Sequence, residues 1–389
     1  MKKVLFISYD GILEPLGFSQ ILSYLLPLSK SNKLTVFSFE KKIDLENNDH
    51  YVKIKNLMDK HNITWKYFIY KKNYFKYINI LKVFFYSLYY AYTNKINIIH
   101  ARSYIPALIS YFIKKFINIK LIFDMRGFWI NERVEWNIWS KKSLIYIFFK
   151  YYEKKIIYNS DAIITLTQIA SKIIKNKYSI SNSKIKFESI PTCVKLNANP
   201  IKFNTNKDNI IISHLGAIGT RYDFDKYLRL GNLLNKRLNI FHSIINKGEH
   251  DYIIDKFTKN NTELLDYEIK YSLPYDINKC LEKVDIGVFF PVKGFYLNGY
   301  FPTKLGEFLT NGIPIITSKI NEDVDSIILK NKIGIIIEDL ENFLFDQTNY
   351  EIFINLLSKQ TSKKCTQVAE KYFDVNKAIY KYNSIYKSF

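Results

Sequence analysis

Tyr296-Leu-Asn-Gly-Tyr-Phe-Pro-Thr-Lys-Leu-Gly-Glu-Phe-Leu-Thr-Asn-Gly-Ile-Pro-Ile-Ile-Thr317 is the stretch from which the fold can be read. Gly299 to Phe301 reads as a loop. Pro302 suits the first turn of a helix, where a missing N–H leaves no bond unmade. Leu305, Phe308 and Leu309 then recur at helical spacing. Asn311-Gly312 ends the helix, since glycine accepts the left-handed cap. Residues 313–317 form a short apolar run that suits a buried parallel strand. Loop, short helix, turn and strand follow in that order. Thr303, Lys304 and Glu307 lie near the helix start, where unbonded N–H groups and the helix dipole favour an anion. A lysine among such amides neutralises a diphosphate, and a carboxylate one turn later accepts two ribose hydroxyls. The combination suits a sugar nucleotide. An ordinary helix start with a solvated lysine and glutamate would carry similar letters, so the motif needs its structural context.

Outward from this stretch the same alternation continues. Strands are expected at 4–8, 34–39, 64–69, 96–100, 120–123, 162–167 and 186–190. Helices are expected between them at 18–29, 44–61, 75–93, 105–116, 143–159 and 168–177. A second series has strands at 210–215, 238–244, 267–271, 286–290 and 333–337, with helices at 222–234, 252–259, 275–283, 349–371 and 375–387. Strands separated by helices mean a doubly wound parallel sheet, whose ligands bind beyond the carboxyl ends of the strands. The polar segment 191–208 reads as a linker. The expected division is a first domain at 1–190, a linker at 191–208, a second domain at 209–370 and a terminal helical segment at 371–389. The fold class is α/β.

The 389 residues suit two domains, and 48% hydrophobic with 16% aromatic content supplies a core for each. Cys193, Cys280 and Cys365 are far apart and match no metal or disulfide spacing, which fits a reducing cytoplasm. The apolar run after Met1-Lys-Lys is too short for a signal peptide and is interrupted at Asp10. No run of about 20 apolar residues is present, so no spanning helix is expected. The formal charge of +21 attracts polyanions, and it is concentrated in the first half, because no Asp or Glu lies between Asp59 and Asp124. The segment 74–92 carries Tyr and Phe around most of a helix, with Lys76 and Lys82. It fits an anionic membrane surface, where each lysine contributes about 1 kcal/mol, and it equally fits burial against the sheet.

Three loops carry candidate chemistry. Asp10-Gly-Ile-Leu-Glu-Pro-Leu-Gly-Phe-Ser-Gln20 joins the first strand to the first helix, and Gly17 there lets backbone approach a ligand. No dinucleotide fingerprint is present, so NAD is not indicated. Asp124-Met-Arg-Gly-Phe-Trp-Ile-Asn-Glu132 follows a buried strand. Its Asp, Arg and Glu can pair with one another or with a charged ligand, and His100-Ala-Arg102 ends the neighbouring strand at the same rim. His214-Leu-Gly-Ala-Ile-Gly-Thr-Arg-Tyr222 opens the second domain, with Lys247-Gly248 after the next strand. Asp223-Phe-Asp225 has the look of a metal-binding pair but opens a helix, so it reads as helix N-terminal charge.

Pro302-Thr-Lys-Leu-Gly-Glu307 followed by Gly312-Ile-Pro314 resembles the nucleotide-sugar motif of the family-4 glycosyltransferases. That family has the GT-B fold and retaining chemistry. The resemblance implies two Rossmann-like domains facing across a cleft, with the last helix crossing back to the first domain. The family usually carries two glutamates eight positions apart. Glu307 matches the second and Gly299 stands where the first would be; a Pro-Thr-Lys subgroup also lacks it. The first loop is similar to the family's acceptor-facing loop, which implies acceptor contacts at Asp10, Gly17, Gln20 and Arg102. The aspartate, arginine, glycine, then glutamate pattern occurs in the same subgroup, which implies catalytic roles beside sugar and leaving phosphate for Asp124, Arg126 and Glu132. Donor contacts are implied at Gly216, Gly219, Thr220, Arg221, Lys247, Phe301, Pro302, Thr303, Lys304 and Glu307.

The expected activity is transfer of a sugar from a nucleoside diphosphate sugar to a hydroxyl of a growing, lipid-linked cell-surface glycan. No metal or other cofactor is expected, because lysine, arginine and helix amides can carry the diphosphate charge. The expected partners are the nucleotide sugar, the glycan or lipid-linked acceptor and an anionic membrane surface, at the cytoplasmic inner face. A sugar-nucleotide epimerase of the same fold is the alternative. Nucleic-acid binding is disfavoured by the strand–helix alternation and the lack of a binding module.

Overall fold

Strand β1 (Lys2–Ser8) buries its last five residues, and β4 (Ile98–Arg102) buries all of its own, as central strands covered on both faces must. The computed structural model describes residues 1–71, 75–180, 184–200, 209–219, 221–259, 266–272 and 276–389. These fall into two compact units. The first comprises Met1–Pro191, Phe295–Tyr300 and Val375–Phe389, and the second Thr192–Gly294 and Phe301–Asp374.

In the first unit β1 and β4 are flanked by β2 (Asn32–Glu40), β3 (Thr64–Ile69), β5 (Lys120–Asp124), β6 (Ala162–Thr165) and β7 (Lys186–Ser189). Their order is β3-β2-β1-β4-β5-β6-β7, all parallel. The chain leaves β1 toward one edge and returns at β4 toward the other, so the switch point lies between β1 and β4. Apolar clusters cover the sheet, one around Leu5, Phe37, Val83 and Ile113, another around Tyr104, Phe123, Ile156 and Ile174. The terminal helix Val375–Lys387 belongs to this unit, as expected, with Asn383 accepting from Ser31. The segment Phe295–Tyr300, taken as part of the second domain from sequence, also belongs here. Phe295–Gly299 forms a 3₁₀ turn whose Phe295 and Tyr296 amides donate to Glu135, at 2.8 and 3.1 Å, so the loop expected at 299–301 begins at Tyr300.

The second unit has β8 (Ile210–Leu215), β9 (Ile240–Ile245), β10 (Asp266–Lys270), β11 (Ile286–Phe289), β12 (Ile315–Thr317) and β13 (Gly334–Ile336). Their order β10-β9-β8-β11-β12-β13 is again all parallel, with the switch between β8 and β11. Gly287 leaves room for the Phe308 ring, which a Cβ would meet at 2.4 Å, so the helix Thr303–Thr310 lies close on the sheet. Of the expected linker, Thr192 and Val194 pack within this unit, donating to Phe301 O at 2.7 Å and Phe373 O at 2.8 Å. Residues 201–208 of that linker, Tyr275 at the expected start of a helix, and Thr220 lie outside the described residues.

Several elements differ from expectation. Residues 129–135, read as loop, form the helix Trp129–Glu135. The expected helix at 44–61 is two, Lys42–Glu46 and Asn48–Lys60, because Asn47 caps the second through its side chain. The expected helix at 349–371 divides into Gln347–Leu356 and Lys359–Tyr372, where the Ser358 hydroxyl caps the second. Glu322–Asn331, which carried no expectation, is a helix capped by Asn321 with three acids in its first turn. Asp223 caps the helix Phe224–Asn235, accepting from Lys226 N at 3.1 Å, in agreement with its reading as helix N-terminal charge.

Candidate functional site

Each unit carries a polar cluster at its switch point. In the second unit the helix Thr303–Thr310 starts at Pro302, whose φ is −72°, and ends at Gly312, whose φ of +74° is the left-handed cap read from sequence. Lys304 turns inward and is 6% exposed. Its Nζ stands 3.4 Å above the centre of the Tyr222 ring and 3.5 Å from His214 Nε2. A Cβ on Gly216 would lie 3.9 Å from the lysine Cε and Nζ, so the loop after β8 passes directly over the ammonium. Gly216 has φ +93°, which suits glycine. Among the described residues no carboxylate pairs with this lysine. Burial lowers its pKa well below the usual range, against the more distant pull of Glu307 and Glu249. Burial, then the neighbouring ammonium, also push His214 well below its ordinary pKa, so the imidazole is neutral, and its Nε2 lies 3.2 Å from the Ala217 carbonyl oxygen as well as beside the lysine. Glu307 lies one turn along and is partly exposed. Burial pushes its carboxyl up to about 7, although Lys304 pulls the other way. A buried cation beside a helix start, with no carboxylate on it among the described residues, has electrostatics that favour an anion.

The other second-unit candidates divide. Gly219, at φ +93°, lies beside Glu249, which accepts from Ile218 N at 2.8 Å and Asn246 Nδ2 at 2.7 Å and so fixes the loop after β8. Thr303 is partly exposed at the first helical position, and Arg221 and Lys247 are exposed at the same strand ends. Phe301 is a packing residue of the second unit. It is buried, with its ring 5.3 Å from Phe373, and its carbonyl accepts from Thr192. Its contribution is to anchor the chain before Pro302.

In the first unit Asp124, at the end of β5, is 1% exposed and is the hub. His100 Nε2 lies 3.4 Å from its Oδ2, Tyr382 donates to the same oxygen at 3.2 Å, and Arg102 and Arg126 approach to 3.9 and 4.0 Å. Burial alone would raise the Asp124 pKa, but Arg126, then His100 and Arg102, outweigh it and hold the carboxyl below its usual range. Burial lowers the His100 pKa despite that carboxylate, leaving it neutral. Its Nε2–H therefore donates to Asp124, and its Nδ1 accepts from Tyr386 at 2.7 Å. Arg126 donates to Gln20 at 3.2 Å, and Arg102 Nε lies 3.6 Å from the half-exposed Asp10 carboxylate. Asp10, Gln20, Arg102, Asp124 and Arg126 thus come together. Arg102 Nε, Arg126 Nη1 and Asp124 Oδ1 are buried without a hydrogen-bond partner. Arg126 also holds φ +57°, a costly conformation for a long side chain. Unpartnered buried donors and a positive φ are thus gathered at these strand ends, together with the ion pairs that anchor the loop.

Gly17 has a steric requirement of its own. A Cβ there would meet Gly11 O at 2.3 Å and Ile12 O at 2.4 Å, so glycine is needed for the loop to fold on itself. The loop is held instead by Glu40, buried at the end of β2, which accepts from Ile12 N at 2.7 Å and Leu13 N at 3.1 Å. Glu132 lies in the helix Trp129–Glu135, where its charge helps raise the Tyr104 pKa after burial and Glu153. Gly299 has a steric explanation. A Cβ there would stand 2.9 Å from Gly127 Cα and 3.1 Å from Phe128 N, so the loop after Asp124 fills the space a side chain would need.

Tyr382 and Tyr386, which contact Asp124 and His100, carried no expectation, and His214 and Tyr222, the ends of the candidate loop after β8, were given no role. Tyr382 and Tyr386 had a signal in their four-residue spacing, which puts both on one face of the last helix. Among the described residues no group of three or more His, Cys, Asp or Glu could hold a metal ion.

No protein-family model matches the chain, and no curated protein sequence matches it. Solved structures do match. A glycosyltransferase from Rickettsia africae ESF-5 gives a TM-score of 0.70 at 16% identity, over 100% of this chain and 98% of that one. Anabaena Alr3699/HepE, solved in complex with UDP and glucose, gives 0.69 at 12% identity, over 100% of both chains. Sucrose-phosphate synthase from Thermosynechococcus elongatus gives 0.72 at 12% identity, over 100% of this chain and 99% of that one. At such identities the likeness establishes the fold, which is GT-B.

Proposed function

We propose that this chain is a retaining, family-4-like glycosyltransferase. It moves a sugar from a nucleoside diphosphate sugar to a hydroxyl of a growing, lipid-linked glycan at the cytoplasmic face of the membrane. The observation that carries the proposal is the buried Lys304 ammonium, which has no carboxylate partner among the described residues and lies beside Gly216 and the start of the helix Thr303–Thr310. A diphosphate supplies the missing charge, and Glu307 one turn later accepts the ribose hydroxyls. HepE, solved with UDP and glucose, supports the choice of ligand class.

In this reading the bond from the anomeric carbon to the donor phosphate breaks as the bond to the acceptor oxygen forms. The acceptor proton passes to the departing phosphate oxygen, so no strong protein base is needed. Lys304 and the helix amides hold the charge that develops on the leaving group, and electrostatic stabilisation is the main catalytic contribution. Arg126 offsets phosphate charge, while Asp124, ionised and oriented by His100 and Tyr382, holds a sugar or acceptor hydroxyl. Arg102, Asp10 and Gln20 serve the acceptor. The reading assigns no metal or other cofactor.

The test is a thermal-shift panel of UDP-, GDP- and dTDP-sugars, since a true donor stabilises the fold by mass action. One nucleotide class should raise Tm in the native protein and fail to do so in Lys304→Ala. No shift with any member would overturn the proposal. Turnover of the stabilising donor with no acceptor present would point to an epimerase instead. Retention is read from the anomeric proton coupling of the product.

A further inference from the structure

The helices Phe75–Thr93, Tyr104–Phe116 and Leu144–Asn159 lie against one another on the first unit, and two of them are apolar on the wrong side as well as the right one. Val83 and Ala91 of the first helix face the core. On its opposite side Ile78, Leu81, Phe85, Tyr89 and Tyr92 form an outward stripe at helical spacing, reaching 73% exposure at Tyr92. Leu144–Asn159 repeats the arrangement. Ile156 and Ile157 are buried, while Leu144, Ile147, Phe148, Tyr151 and Tyr158 point outward, with Leu144 85% exposed. A helix hydrophobic all round belongs inside a larger apolar environment.

The two stripes form one surface. Phe84, next to the outward Phe85, has its ring 6.4 Å from Phe112 on the middle helix. Phe112 lies 5.4 Å from Tyr152, which lies 4.6 Å from the outward Phe148. Phe116, 68% exposed, closes the middle. Lysines border this surface, with Lys82, Lys115, Lys154 and Lys155 all exposed. Its acid complement is minimal. The first two helices contain no Asp or Glu, and the third contains only Glu153, which is 3% exposed and bound to Lys150 and Lys177.

We propose that this three-helix face is the surface by which the protein lies on an anionic lipid bilayer. Exposed aromatic and aliphatic side chains insert at the headgroup level, where tyrosine is favoured. The lysine ammoniums reach anionic headgroups while their stems cover apolar surface. No helix among the described residues is long and apolar enough to cross a membrane, so the contact is interfacial. A second copy of this chain is a poorer occupant, since it would set two lysine-bordered faces against each other. The proposal is argued from the first unit alone and deepens the membrane location in the sugar-transfer reading, without resting on the donor site.

The test is co-sedimentation of the full chain with phosphatidylcholine vesicles, with and without phosphatidylglycerol, at about 0.1 M salt, where surface charges act over about 10 Å. Native protein should pellet with the anionic vesicles and stay in solution with the neutral ones. Phe85→Ser/Phe148→Ser and Lys154→Glu/Lys155→Glu should each lower the bound fraction at least fivefold with unchanged circular dichroism. Native protein left in the supernatant with anionic vesicles would overturn the proposal, as would variants that pellet like the native chain. A dimer in sedimentation velocity that the phenylalanine variant dissolves, without vesicle binding, would assign the face to a second copy. Thermal shift by a nucleotide sugar should be the same in native and variant proteins, which separates failure here from failure of the transfer reading.

Discussion

Glu307 should give the protein two opposite pH dependences. Its carboxyl is pushed up to about 7 by burial, against an ordinary value of 4.5. In the proposed reading the Glu307 carboxylate holds a ribose, so affinity for a nucleotide sugar should follow the ionised fraction. That fraction is about one-tenth at pH 6 and about nine-tenths at pH 8, a tenfold gain in affinity worth about 1.4 kcal/mol. Stability of the unliganded protein moves the other way. A carboxyl whose folded pKa lies above its unfolded one contributes stability that is fully present below the unfolded value and lost as pH rises through the folded value. The shift from 4.5 to about 7 corresponds to about 3 kcal/mol, an upper bound because Glu307 keeps some solvent contact. The assay is calorimetric titration with the nucleotide sugar that the thermal-shift panel selects, from pH 6 to 8, alongside chemical denaturation without ligand. A nucleotide sugar is preferred to the free diphosphate because its phosphates keep constant charge over that range. Glu307→Gln should flatten both curves and weaken binding at pH 8. A native affinity that is flat with pH, or a glutamine variant with the native slope, refutes the ribose role.

Lys304→Met should weaken nucleotide-sugar binding by about tenfold or more, the loss of one charge-assisted contact, without lowering the unliganded Tm, because an unpaired buried cation is removed. Unchanged Kd in calorimetry would dismiss the lysine from the site. Gly299→Ala should destabilise by about 1–3 kcal/mol in thermal denaturation, since its Cβ would lie 2.9 Å from backbone that cannot easily move; an unaltered Tm counts against the packing described. Tyr382→Phe deletes the O–H donated to Asp124 at 3.2 Å and should lower kcat/KM for acceptor about tenfold with donor Kd unchanged. Equal loss of donor binding would place Asp124 in a different role.

Legibility followed locality. β3, β8 and the helices Phe75–Thr93, Gln168–Lys177 and Val375–Lys387 were readable to the residue because apolar periodicity runs unbroken through each. The misreadings are where one side chain decides a boundary. Asn47 and Ser358 cap helices inside what periodicity alone presents as single helices. Asn321 followed by Glu322, Asp323 and Asp325 was a readable start signal for the helix that carried no expectation. Trp129–Glu135 had no such start signal. No side chain caps its first turn, and its Trp129 ring is held by Tyr104, Trp139 and Phe149, partners distant in sequence.

The sites show the same division with a sharper consequence. The grouping of Lys304, Glu307 and Gly216 was foreseeable because helix starts and strand-end glycines announce themselves in sequence. The pairing of Asp124 with Tyr382, 258 residues away, does not. Gly299 is the instructive case. From sequence it is a missing glutamate; from packing it is a required glycine, opposed by Gly127 at φ +124°. A Cβ on Gly127 would approach Gly299 O at 3.2 Å, so each residue depends on the other being small. The strained Arg126 backbone sits directly before that contact. Glutamate at 299 would therefore displace the loop that carries Arg126. Gly299→Glu, which supplies the glutamate of the motif that this stretch resembles, should lose the proposed transfer while nucleotide-sugar binding by the second unit persists. If Gly299→Glu instead transferred as well as the native chain, the loop from Asp124 to Phe128 would not be what occupies the glutamate's place.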